Sequence, residues 1–181
     1  MKKTMILAAL VLATGSLFAQ KKTTTSATVA FDASTSLDAL PKAENKTVIA
    51  AIDTKTGTIQ FEAAVKNFAF ANPTIQEHFN GGNWLNSEKF PTFTFSGKFD
   101  DLSKVNFTKD GSYTVPVSGT LTVKDVTKPV TTTATVVVAK GAINATAGFG
   151  ITLADYSITG APITAGKVAA QPKITVSADF K

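Results

Sequence analysis

Apolar and polar residues alternate with a period of two along most of this chain, the pattern of strands with one covered face and one wet face. Phe93, Phe95, Gly97 and Phe99 oppose Thr92, Thr94, Ser96 and Lys98. Val115, Val117, Gly119, Leu121 and Val123 oppose Thr114, Ser118, Thr120, Thr122 and Lys124. The same alternation runs through Ile59 to Val65, Ile143 to Leu153 and Ile174 to Phe180. Eight strands are predicted, at 26–33, 46–53, 58–66, 91–100, 112–124, 129–140, 142–153 and 172–180. Asp53 to Gly57 and Lys109-Asp110-Gly111 read as tight hairpins, Lys124 to Pro129 as the link between two long strands, and Lys140-Gly141 as another turn. One stretch breaks the alternation. Asn72 suits a helix cap and Pro73 a first helical position, which predicts a short helical segment near 73–88, interrupted at Asn80-Gly81-Gly82.

Strands joined in sequence by short turns are antiparallel neighbours, and an apolar sheet face has to be covered. An all-β fold follows, with either a closed antiparallel barrel or a two-sheet sandwich as the solution. The covered face mixes phenylalanine with small residues such as Ala63, Gly97, Gly119, Ala145, Ala147 and Ala178. Small opposite large either interdigitates into a filled core or leaves an elongated apolar cavity; both readings stand on the pattern alone.

The first twenty residues have a different character. Lys2 and Lys3 precede an apolar run from Met5 to Ala13, then Gly15-Ser16 and Leu17-Phe18-Ala19-Gln20. This is expected to be a secretory signal peptide, cleaved after Ala19 or Gln20, with residues 21–181 as one domain. The run is too short to span a bilayer, which takes about 20 residues. No cysteine follows it, so it is not a lipoprotein leader. The protein is therefore expected to be periplasmic or secreted.

Composition then narrows the chemistry. The formal charge of +5 loses two lysines with the leader, leaving 16 lysines against 13 acids, or +3. No lysine block resembles a nucleic-acid footprint. All 18 cations are lysine, so the bidentate guanidinium clamp for phosphate is absent. With no cysteine and a single histidine, neither a disulfide framework nor a thiolate or His-rich metal centre is expected. Threonine makes up about one residue in six or seven and suits the outer faces of strands.

Three segments carry a family resemblance. The first runs from Gln76-Glu77-His78-Phe79-Asn80 through Trp84 to Phe90-Pro91-Thr92-Phe93-Thr94-Phe95; the second is Val117 to Val130, with Gly119-Thr120-Leu121-Thr122-Val123 and Val126-Thr127-Lys128; the third is Asp53 to Gly57 leading to Phe61. Together they resemble the YceI-like family, the bacterial periplasmic polyisoprenoid-binding proteins, in a short form. Asp125 stands where glycine is commoner in the family. The resemblance implies an eight-stranded lipocalin-like barrel whose apolar tunnel holds an isoprenoid lipid or quinone tail. It implies no catalytic residue, no resident cofactor and no nucleic acid. It also fits transient contact with a membrane surface.

The aromatic cluster between residues 61 and 99 marks the expected ligand site. Its candidates are Phe61, Phe68, Phe70, Phe79 and Trp84, then Phe90, Phe93 and Phe95, joined by Leu121 and Phe149. His78 is the candidate at the cavity mouth. No nucleophile–base set accompanies it, so catalysis is not expected. Lys66, Lys89, Lys98 and Lys128 are candidate point charges for a lipid phosphate. Asp100-Asp101 reads as a solvated turn and Tyr156 as a strand-end anchor through its hydroxyl. The competing function is a secreted β-sandwich acting as a structural or adhesion module with a filled core.

Overall fold

β-Branched and aromatic residues on alternate positions build the strands, and their registers show how the sheet closes. The structure, a computed structural model, describes residues 20–181; the expected leader lies almost wholly outside the described residues. Eight long strands are β1 (Lys21–Asp32), β2 (Lys42–Asp53), β3 (Thr58–Ala64), β5 (Thr92–Phe99), β6 (Gly111–Val123), β7 (Val126–Ala139), β8 (Ala142–Gly150) and β9 (Lys173–Phe180). A two-residue β4 (Ala69–Phe70) hangs on the edge of β2. Every pairing is antiparallel, each long strand pairs with the next in sequence, and β1 pairs with both β2 and β9. The sheet is thus a closed up-and-down barrel without a free edge of full length. The sandwich alternative is set aside by the β1–β9 pairing, because a sandwich would leave those two strands in separate layers or at open edges.

One hairpin is tighter than the sequence suggests, and another predicted hairpin is not one. Val123 pairs with Val126, so the β6–β7 turn is only Lys124-Asp125, with Lys124 at φ 58°. β7 therefore runs through Pro129, which pairs with Thr120. There β7 has only β6 as a ladder neighbour, since its pairing with β8 ends at Ala134–Ala147, and a strand proline is tolerated at such a place. By contrast, Lys109-Asp110-Gly111 does not form a tight hairpin. Phe99 pairs with Val117, so the connection between β5 and β6 is long, and β6 projects beyond β5.

The helical prediction resolves into α1 (Pro73–Asn80) followed by turns to Lys89. The Asn72 side chain accepts hydrogen bonds from the Thr74 and Ile75 amides, and Pro73 occupies the first turn. α1 lays Phe79 across one end of the barrel, where it is 7% exposed. Beyond β8, Ile151 and a 3-10 turn at Leu153–Tyr156 continue inward, so the apolar alternation read as strand to residue 153 belongs partly to a connection. A four-residue α2 (Ala161–Thr164) sits in the last loop. The other end of the barrel is packed shut by Val115, Val136, Val138 and Ile143, none above 2% exposed. No helix among the described residues is long and apolar enough to cross a membrane.

Candidate functional site: an apolar cavity with an antechamber

The barrel is not filled. Counting its open mouth, the interior holds about 1300 Å³ of empty space. The registers explain why. On one side Phe61 pairs with Phe95 and Phe95 with Leu121, which makes a wall of large side chains on β3, β5 and β6. On the other side Ala134 pairs with Ala147, and Ala145 with Ala178, which makes a patch of methyl groups on β7, β8 and β9, flanked by Phe149 and Phe180. Between the large side chains and this patch an open space remains. Three threonines are the only polar residues along the lining, and no charged residue is among them. One of them, Thr132, donates its hydroxyl to the Gly148 carbonyl at 2.9 Å, just past the point where the β7–β8 ladder stops. Its polar group is thereby satisfied and leaves the cavity apolar.

Phe95 shapes the floor of this space. Gly97 and Gly119 face each other across β5 and β6, and a Cβ on either would stand 2.7 or 2.5 Å from the Phe95 ring. The tip of the ring occupies the space that a Cβ on either glycine would need. This gives the two glycines a steric reason, close approach of a ring to backbone.

At the open end, aromatic residues from several elements meet around Phe79. Its ring centroid is 4.8 Å from Phe70, 5.9 Å from Phe68 and 6.0 Å from Phe31, and Phe68 lies 5.7 Å from Phe93. These are tilted contacts of the kind aromatic pairs favour. Beyond them a second space, half open to solvent and about 700 Å³ with that solvent counted, is bordered by Asp38, Pro41, His78, Pro162, Lys167 and Val168, among others. Phe31, Phe79 and Trp84 line both spaces. The second space is therefore an antechamber, divided from the main cavity by three aromatic side chains.

The candidates from the sequence separate cleanly. Phe61, Phe68, Phe79 and Trp84 line the main cavity, as do Phe93, Phe95, Leu121 and Phe149. Phe70 and His78 line the antechamber instead. Phe90 lines neither. It precedes β5 and lies outside, with the Lys89 ammonium 5.0 Å and the Lys124 ammonium 5.8 Å from its ring centroid. The four candidate lysines line neither space, and Lys66 is held by Glu88. The lysine at the mouth is Lys167, which no sequence pattern singled out. Phe31, Phe99 and Phe180 also line the cavity, from inward positions of β1, β5 and β9; Phe31 and Phe180 lie far in sequence from the aromatic cluster, whereas Phe99 ends it.

The polar candidates have local structural work. Asp101 caps the 3-10 turn Leu102–Lys104 by accepting from the Ser103 amide and hydroxyl, and Asp100 accepts from the Ser118 hydroxyl. The Tyr156 ring is buried at 2% exposure, and its hydroxyl makes no hydrogen bond among the described residues, so it anchors by packing. Burial, assisted by Asp155, pushes its phenol above the ordinary value. Among the described residues, no group of three His, Cys, Asp or Glu side chains is placed to hold a metal.

Solved structures share this architecture. A polyisoprenoid-binding domain from Saccharophagus degradans, implicated in plant cell wall breakdown, matches with TM-score 0.74 at 14% identity, over 90% of this chain and 98% of that one. Burkholderia cenocepacia BcnA matches with TM-score 0.71 at 17% identity, over 86% and 96%. The Campylobacter jejuni YCEI protein matches with TM-score 0.56 at 20% identity, over 74% and 80%. No curated protein sequence matches. At these identities the likeness speaks for the fold. The sequence itself matches the model of the YceI-like domain over residues 14–181, and the chain therefore belongs to the YceI-like family.

Proposed function

We propose that this protein is a periplasmic or secreted carrier that holds one long apolar tail, of isoprenoid or quinone type, inside its barrel and catalyses no reaction. The observation that carries the reading is the uncharged cavity between the phenylalanine wall and the alanine patch. An empty apolar space costs the fold the dispersion contacts its lining would otherwise make. A hydrocarbon tail restores them and leaves water, at about 25 cal/mol for each Å² buried. A long methyl-branched chain suits a cavity lined by rings and methyl groups. The polyisoprenoid-binding description of the Saccharophagus domain supports the same ligand class. No cofactor takes part, and contact with a membrane surface during loading and release is part of the proposal.

Native mass spectrometry of the purified protein tests it. The expected spectrum shows the bare chain together with a species heavier by the mass of one lipid, which solvent extraction removes and recovers. A single bare species that also fails to take up an added polyprenol would overturn the proposal. The adhesion-module alternative needs a filled core, and the open interior tells against it.

A further inference from the structure

The loops 33–41 and 157–172 form one surface at the mouth of the antechamber. The Thr35 hydroxyl donates to the Gly166 carbonyl at 2.7 Å, and the Ala169 amide donates to the Ala33 carbonyl at 2.8 Å. A Cβ placed on Gly166 would touch the Leu37 side chain at 3.4 Å. Asp32, at the end of β1, holds the Ser34 amide and hydroxyl and pairs with Lys42 at 3.0 Å, which pins the base of the first loop. These contacts give the surface a fixed shape, yet it presents Leu37 at 72% exposure and Leu40 at 50%. They are the two most exposed large apolar side chains at this end of the barrel. Across both loops the only charges are Asp38 and Lys167, one of each sign, and both border the antechamber.

From this placement we infer that the paired loops are a bilayer-docking face, with Leu37 and Leu40 entering the lipid interface and the antechamber serving as the passage between bilayer and cavity. The inference rests on the tail-binding reading of the cavity. Its own ground is the continuity of an exposed apolar rim with the cavity mouth. Pro41, Pro162 and Val168 line the antechamber from these same loops, and Phe31, Phe79 and Trp84 then lead inward. A tail with negligible solubility in water has to pass from one apolar phase to another, and this route is lined mainly by apolar side chains, with Asp38, His78 and Lys167 bordering it only in the antechamber. A protein partner would more commonly be met by a polar rim with matched charges. The balanced pair Asp38 and Lys167 offers no net attraction to an anionic headgroup. Docking here is driven by burial of the leucines, so it should be insensitive to salt and to headgroup charge, unlike binding through a basic patch.

Vesicle flotation decides the matter. The chain from Gln20 onward, which contains every strand of the barrel, is mixed with vesicles of phosphatidylcholine alone or with phosphatidylglycerol added, at low and high salt. The wild-type chain is expected to float with both, with apparent affinity changing by less than about threefold across salt. L37S/L40S should weaken flotation at least about tenfold, because each leucine gives up burial in the interface. I49S/V137S removes two exposed apolar side chains from the outer barrel wall and should change nothing. Equal flotation of L37S/L40S and wild type would overturn the inference, as would flotation that requires phosphatidylglycerol and disappears in salt. A parallel titration with geranylgeraniol, read from the fluorescence of the single tryptophan Trp84, separates the two readings. Geranylgeraniol binding without flotation ends the docking inference alone. Flotation lost in L37S/L40S with no geranylgeraniol binding ends the carrier proposal and leaves the docking face standing.

Discussion

Gly119 shows how one residue sets the shape of the cavity. An added Cβ would come within 2.6 Å of the Ser96 carbonyl as well as 2.5 Å of the Phe95 ring, so both backbone and ring would have to move. Gly119→Ala should therefore cost about 1–3 kcal/mol in chemical denaturation, the usual range for overpacking a tight site. Charge acts at this scale through Asp32. The Ser34 hydroxyl, then the Ser34 amide and Lys42, hold its carboxyl below the usual range in spite of partial burial. A depressed folded-state pKa stabilises the fold above the unfolded value of about 3.9, and that contribution fades as pH falls through it. Asp32→Asn should accordingly shrink the loss of stability between pH 5 and pH 2, as followed by thermal melting. Tyr156 works in the other direction. Its raised phenol stabilises the fold below an unfolded value of about 10, and that contribution fades as pH rises beyond it. Single residues were also where the sequence misled most. Phe90 belongs to the same run of rings as Phe93 and Phe95, but it lies before the first β3–β5 pair, Ala64–Thr92, and no register turns it inward.

Elements were more legible than residues, because alternation repeats over a whole strand whereas a ring's direction depends on one dihedral. Missed strand ends have physical reasons. Lys21 to Ser26 is entirely polar and shows no period, yet its start pairs with β2 from Asp53 back to Ala50. Pro129 looked like a boundary and is not one, because half of β7 has no second neighbour there. That gap is closed by the 3-10 turn Leu153–Tyr156, whose Leu153 and Tyr156 are each 2% exposed. Such long-range closure leaves no mark on local periodicity. α1 was legible from its cap, and the cap gives its own test. Asn72→Ala should destabilise the helix that carries Phe79 by about 1 kcal/mol. Amide exchange should then quicken over Thr74 to Asn80 and remain unchanged in β6 and β7. Uniform quickening across the barrel would mean that α1 is not a separately opening lid.

For the whole molecule, the sequence supports a barrel but leaves open whether its interior is filled. Ala134, Ala145 and Ala147 look like any small core residues until the registers bring them together on β7 and β8, in a cavity whose lining also holds the large side chains Phe61, Phe95 and Leu121. The proposed function depends on that mismatch of side-chain size. Ala147→Phe should occupy the open space, leave the fold intact and abolish uptake of a tail. The same loss without a filled cavity would point to a different site. The most direct test of the account is calorimetry of geranylgeraniol binding to the wild-type protein at several temperatures. The account predicts one site per chain with a negative heat-capacity change, the signature of apolar surface leaving water. An intact barrel that takes up no geranylgeraniol, or takes it up with no heat-capacity change, would contradict it.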